Sequence, residues 1–171
     1  MVSAFSIHQA RVSVSDCKAF LDLAGKIGSC HETRIVFFNA EKMAGKVHAE
    51  SALSHALRAE REITMISHRM EMEALLYASG SRQILHGASF GVHTGENLVY
   101  VCLCPGNERT WENLAGHVNP ADGEYWEAIS PEKMAFLCAH FSITPEELEV
   151  VESDRIVELV LERVALLDVY R

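Results

Sequence analysis

Met70-Glu-Met-Glu-Ala-Leu-Leu-Tyr-Ala-Ser-Gly-Ser-Arg-Gln-Ile84 reads as a helix that stops at Gly80 and restarts at once behind Ser81. Met72, Leu75 and Leu76 fall at i, i+3 and i+4, the spacing of one buried helix face. Gly80 stands where a left-handed residue closes a helix, and Ser81 is a favoured N-cap for the next one. This places Arg82 and Gln83 in the first turn of the second helix. A cation there opposes the helix dipole, and a residue that breaks a local rule hints at function. Free backbone N–H groups together with Arg82 would make a phosphate seat. The alternative is that Arg82 points into solvent or pairs with a nearby acid such as Glu73.

The neighbouring sequence is a mixture of strand and helix patterns. Phe5 to Val14 has extended character, with Ala10, Val12 and Val14 alternating. Asp16 to Ile27 is an amphipathic helix closed by Gly28, and the β-branched and aromatic run Arg34–Asn39 is a buried strand. Lys46 to Glu60 is a helix with Ala49, Ala52, Leu53, Ala56 and Leu57 on one face and His48, Ser51, His55 and Arg58 on the other. The helix–Gly–Ser–helix corner spans Ser67 to Phe90, ended by Gly91. His93 to Asn97 is turn-like, and Leu98 to Cys104 is an apolar strand that Pro105-Gly106 breaks. Asn107 to His117 is a helix, and Glu124 to Ile129 a short strand. Ser130-Pro-Glu and Thr144-Pro-Glu-Glu147 are two helix starts of one type: N-cap, proline at N1, acid in the first turn. The pattern predicts one α+β domain over residues 1–171, a small mixed or antiparallel sheet packed with about seven or eight helices.

Asp154 to Tyr170 is the last helix. Arg155, Glu158 and Glu162 form a narrow charged strip, and Ile156, Val157, Leu159, Val160, Leu161, Val164, Leu166 and Leu167 cover most of the rest. Such a helix is either central or meets a second body. The partner reading makes Val160, Val164 and Leu167 its anchors; the other makes the same residues core.

At 171 residues, 49% hydrophobic and 23% charged, the composition is that of an ordinary globular protein. Met1-Val2-Ser3 opens no signal peptide and no apolar run approaches bilayer length, so a cytoplasmic location is expected. The five cysteines are an odd number with irregular spacing, which fits buried, inert thiols rather than a disulfide framework. The scattered histidines lack a third ligand at metal-binding spacing, so neither metal nor cofactor is expected. The formal charge of −9 argues against nonspecific grip on nucleic acid. Residues 1–104 carry 10 basic and 10 acidic side chains, whereas residues 105–171 carry 5 and 14, so the whole excess lies in the last third. A polyanion should therefore dock on the neutral part, and a basic protein could meet the acidic part.

No catalytic constellation stands out. The chain has no Gly-rich phosphate loop, no GxSxG elbow and no HExxH motif. Glu71 and Glu73 are two positions apart and point to different helix faces, and Glu146-Glu147 is explained by capping. No catalytic residue and no small-molecule substrate are therefore predicted, and the sequence reads as that of a binding protein.

Three segments carry a family resemblance: Glu73-Ala-Leu-Leu-Tyr-Ala-Ser-Gly-Ser-Arg-Gln-Ile84, His48-Ala-Glu-Ser-Ala-Leu-Ser-His-Ala-Leu-Arg-Ala59 and Glu162-Arg-Val-Ala-Leu-Leu-Asp168. In this order and spacing they resemble the TPRKB-like family, the kinase-associated subunit of the KEOPS complex. Residues 105–153 add nothing to the match. The resemblance implies a non-catalytic subunit that binds the kinase-like ATPase of KEOPS and captures the single-stranded 3′ CCA end of tRNA. The complex installs threonylcarbamoyladenosine in tRNA. Carried onto this chain, it makes Arg82, Gln83 and His48 candidate RNA contacts: Arg82 for phosphate, Gln83 for base edges and His48 as a stacking face. The last helix becomes the candidate kinase surface. Two other readings stay open, an adaptor of the kinase-like subunit that never touches RNA and a small thiol- or histidine-dependent enzyme.

Overall fold

A computed structural model of the protein describes residues 4–151 and 155–170. Met1 to Ser3, and Asp154 at the start of the expected last helix, lie outside the described residues. The elements run β1 (Ser6–Val14), α1 (Cys17–Ser29), β2 (Arg34–Asn39), a 3₁₀ turn (Ala40–Lys42), α2 (Lys46–Arg61), α3 (Met70–Ser79) and α4 (Ile84–Ala88). They continue as β3 (Gly95–Cys104), α5 (Glu108–Ala115), β4 (Asn119–Pro120), α6 (Pro131–His140), α7 (Pro145–Val151) and α8 (Ile156–Leu166). The sheet order is β2-β3-β1-β4 with every pair antiparallel, an α+β fold as the sequence predicts. No helix among the described residues is long and apolar enough to cross a membrane. The chain divides into two compact units: one runs to Asn39 and resumes over Gly91–Glu124, the other takes Ala40–Phe90 and everything from Tyr125 on.

The first unit holds the sheet. Because side chains alternate along a strand, Ala10, Val12 and Val14 of β1 share a face with Val99, Val101 and Leu103 of β3 and Ile35 and Phe37 of β2. That face packs on Ala24, Phe20 and Ile27 of α1 and on Trp111 and Leu114 of α5. Asp16 caps α1 by accepting from the Ala19 N–H at 3.1 Å. Gly28 does not close this helix, which runs on to Ser29. A Cβ at Gly28 would lie 2.2 Å from the Thr33 carbonyl oxygen, so glycine is needed for the close return of the chain. Strand β3 begins at Gly95 rather than Leu98, because Val12, Ser13 and Val14 keep pairing with Asn97, Glu96 and Gly95. Cys102 and Cys104 are buried, but Cys30 is exposed, against the expectation that every thiol is interior.

The second unit is helical. Helix α2 buries Leu53 and the small side chains of Ala49, Ala52, Ala56 and Ala59, which let it pack closely on α3 and α8. Residues 124–129 form no strand. Instead the Glu127 carboxylate accepts from the Lys46 N–H at 3.0 Å and caps α2, whose own N-cap position, Gly45, has no side chain to do so. Ser130 caps α6 through the Lys133 N–H, and Thr144 and Glu147 form a reciprocal capping box on α7, as their spacing predicts.

Helix α8 departs from its prediction. It ends at Leu166, and the chain tightens through i→i+3 bonds from the N–H groups of Leu167, Asp168 and Val169. Its buried positions Ile156, Leu159, Val160 and Val164, with Leu167 just beyond, form a single face. Val160 and Val164 are completely enclosed and Leu167 is 4% exposed. The proposed kinase anchors are thus core residues of this unit, for the ordinary reason that an i, i+4 apolar row buries itself against neighbouring helices.

Candidate functional site

Helix α3 closes at Gly80, which takes the left-handed conformation with φ 62° and ψ 25°. The Ser81 N–H reaches the Leu76 carbonyl at 3.2 Å and the Gly80 N–H reaches the Tyr77 carbonyl at 3.0 Å, the two bonds of a Schellman motif. The helix therefore stops as its sequence says. Its buried side is centred elsewhere: Met70, Glu73, Ala74 and Tyr77 form the i, i+3, i+4, i+7 row, and of the predicted face Leu76 is buried while Met72 and Leu75 are only half-buried.

No helix starts directly behind Gly80. Ser81 is no N-cap; its Oγ accepts from the Gln83 N–H at 3.1 Å and pairs with Nδ1 of His86 at 2.9 Å. Gln83 occupies the N-cap position of α4, a helix of five residues, and makes no side-chain capping bond. Arg82 and Gln83 thus precede the first helical turn instead of standing in it. The short polar side chain of Ser81 favours a local turn over a helical start, which shifts the helix by two residues.

Arg82 pairs with no acid among the described residues. Its Nη1 donates to the Tyr170 carbonyl oxygen at 3.0 Å, and the side chain is exposed. Glu73, its suggested partner, is fully buried and accepts instead from the Ile66 and Ser67 N–H groups and the Ser67 hydroxyl.

Arg82 and Gln83 line a cavity of about 600 Å³. The turn from Ser79 to Gln83 forms one wall together with His86. His140, Phe141 and Ser142 form another, and Arg163, Leu166, Leu167 and Tyr170 complete it. Gly80 matters here a second time, because a Cβ would come within 3.1 Å of the Phe141 ring. His140 donates from Nε2 to the Ser79 carbonyl at 2.8 Å. Burial lowers its pKa, opposed by that bond, and nearby His86 and Lys42 lower it further, which favours the uncharged ring. Arg163 is committed internally: Nε donates to the Phe141 carbonyl at 3.2 Å and Nη2 to the Glu147 carboxylate at 2.7 Å. The hydrogen bond from Arg163 holds the Glu147 carboxyl below its ordinary pKa. The guanidinium of Arg82 and the amide of Gln83 are turned to solvent at this mouth together with His86, Ser142 and Tyr170, and exposed Ile84 and Leu85 follow in the chain.

His48 does not reach the cavity. It is fully buried, its Nε2–H donating to the Ala78 carbonyl at 2.9 Å and its Nδ1 accepting from the Ala44 N–H at 3.0 Å. Burial pushes its pKa down to about 4, against the Ala78 bond. The imidazole is a neutral strut beneath the turn, not a stacking surface. The close approach of alanine-rich α2 to α3 encloses a position that the helix pattern puts on the outer face.

His86, His140, Arg163 and Tyr170 join the site without any sequence expectation. His86 lies four residues beyond Arg82, a spacing that could have flagged it. His140, Arg163 and Tyr170 come from distant segments and carry no local signal.

The chain matches the family model described as kinase binding protein CGI-121 over residues 13–168. A comparison with curated proteins returns no match. The three motifs, residues 48–59, 73–84 and 162–168, lie inside the matched span, and the TPRKB-like resemblance points to the same family. With nearly its whole length matched, this chain belongs to the kinase binding protein CGI-121 family.

Proposed function

We propose that this chain is a non-catalytic subunit of KEOPS that binds the kinase-like ATPase and takes up the single-stranded 3′ CCA end of tRNA, in support of threonylcarbamoyladenosine modification. The family description supports the kinase half. The RNA half rests on one observation: in a chain of net charge −9, the cavity presents an arginine bonded to a carbonyl and to no described acid, next to an exposed amide. Arg82 offers charge-assisted bonds to a phosphate, Gln83 offers donor and acceptor to a base edge, and His86 offers a ring face. A single-stranded end suits a concave site of this size, whereas a duplex would need a long basic surface.

The test is binding of purified protein to tRNA, to the same tRNA lacking CCA, and to one altered in the anticodon arm, alongside co-purification with the kinase-like subunit. The proposal expects loss of affinity on CCA removal and little change from the anticodon arm. Equal binding of all three RNAs would remove the CCA claim. Kinase binding without any tRNA binding would leave an adaptor.

A further inference from the structure

Beyond the cavity, the aromatic side chains of α6 lead to a second cation. His86 stands on the cavity wall, and its ring lies 6.1 Å from that of His140. His140 stacks on Phe136 at 5.6 Å with an interplanar angle of 18°. Lys42 Nζ lies over the Phe136 ring, 5.6 Å from its centroid. Lys42, Phe136 and His140 are half-buried and His86 is exposed, so each of the four side chains in this row reaches solvent in part. Lys42 donates one N–H to the Ser89 carbonyl at 2.8 Å, and two of its three donors are left. Lys133 of α6 is committed elsewhere: it donates to the Ala40 carbonyl at 3.0 Å and is acted on by Glu127 and Glu41.

Aromatic rings interleaved with cations are how proteins hold single strands, the rings meeting base faces and the cations the phosphates. We infer that the strip His86–His140–Phe136–Lys42 is a second RNA subsite, which receives the nucleotides on the 5′ side of the terminal trinucleotide, with Lys42 holding a phosphate. This rests on the proposed entry of the 3′ end into the cavity and extends it to residues no motif contains. The arrangement has a reason in charge: Lys42 places its ammonium over this aromatic row, so one surface can meet a phosphate as well as a base.

The experiment compares a CCA trinucleotide, a six-nucleotide RNA ending in CCA and a six-nucleotide RNA with another 3′ end. Each is bound to the whole chain and to the Lys42→Gln, Lys42→Arg and Phe136→Leu variants, with thermal unfolding as the folding control. The expected result is tighter binding of the longer CCA RNA than of the trinucleotide. Lys42→Gln should weaken the longer RNA about tenfold and lower its salt slope by about one, leaving the trinucleotide unchanged. Lys42→Arg should keep the gain, and Phe136→Leu should lose part of it. No gain from the extension, or a gain that survives Lys42→Gln with the same salt slope, overturns the subsite. Equal, Lys42-dependent binding of both six-nucleotide RNAs supports the strip while refuting the CCA reading. Absence of binding by every RNA overturns both.

Discussion

The guanidinium of Arg82 donates to the carbonyl oxygen of Tyr170 across 3.0 Å, joining the turn after α3 to the last described residue of the chain. One of five N–H donors is used in this bond, and the rest of the fork is open to an anion. Arg82→Ala should therefore weaken binding of CCA-ended RNA by about 1–3 kcal/mol, the range for charge-assisted bonds to phosphate. Because the side chain is exposed, its loss should change stability by no more than about 0.5 kcal/mol. Fluorescence anisotropy with labelled RNA and a denaturant titration measure the two; an unchanged affinity would reduce Arg82 to a tether for the C-terminus.

His48 predicts a pH dependence. Its folded pKa of about 4 lies below the ordinary value of 6.5, so the unfolded chain takes up a proton first as pH falls. The contribution is fully present above pH 6.5 and is lost between 6.5 and about 4, amounting to roughly 3 kcal/mol. Denaturant melts of wild type and His48→Gln across that range should converge as the pH drops. Parallel curves would show that the ring is not held neutral.

Gly80→Ala should destabilise the protein by about 1–2 kcal/mol, the cost of a left-handed conformation for a residue with a Cβ. The added methyl would also press on the Phe141 ring at 3.1 Å and distort the cavity wall. A drop in both thermal midpoint and RNA affinity is expected. Affinity lost without any change in stability would contradict the strain argument.

Val164 offers a way to separate core from interface. With its side chain completely enclosed, Val164→Ala should cost about 1–3 kcal/mol of stability through lost contacts and a small void. At a temperature where both proteins are folded, kinase co-purification should be unaffected. A variant that keeps its stability and loses the kinase would return α8 to the partner surface.

Asp168 ties the C-terminal segment to the helices. Its carboxylate accepts from the Tyr77 hydroxyl, and from His55 and Arg58 of α2. Burial alone would raise its pKa, but these three bonds outweigh it and leave the pKa lowered. A lowered carboxylate pKa stabilises above its unfolded value and ceases to do so as the folded form protonates. Asp168→Asn should thus flatten the acid limb of the stability curve and cost ~1–3 kcal/mol near neutrality, read by urea melts. An acid limb identical to wild type would mean the bonds contribute nothing.

Local chemistry was written plainly in this chain. The left-handed stop at Gly80, the N-cap at Ser130, the capping box at Thr144, the alternating strand around Val12 and the buried apolar strand around Phe37 depend on neighbours a few residues away. Such features are legible because backbone sterics and hydrogen-bond reach act over one turn or one pleat. The sequence misjudged the residues whose state depends on distant segments. Ser81 looks like an N-cap until its bond to Gln83 and His86 is seen. Residues 124–129 look extended until Glu127 is found capping α2.

Sequence alone determined the class of fold, the family and the position of the turn that bears Arg82 and Gln83. Tertiary structure decided which side chains of those segments meet solvent. It enclosed His48, Val160, Val164 and Leu167, and it brought His86, His140 and Tyr170 to the turn. The reason is that periodicity fixes which residues share a face, whereas burial depends on what the rest of the chain lays against that face.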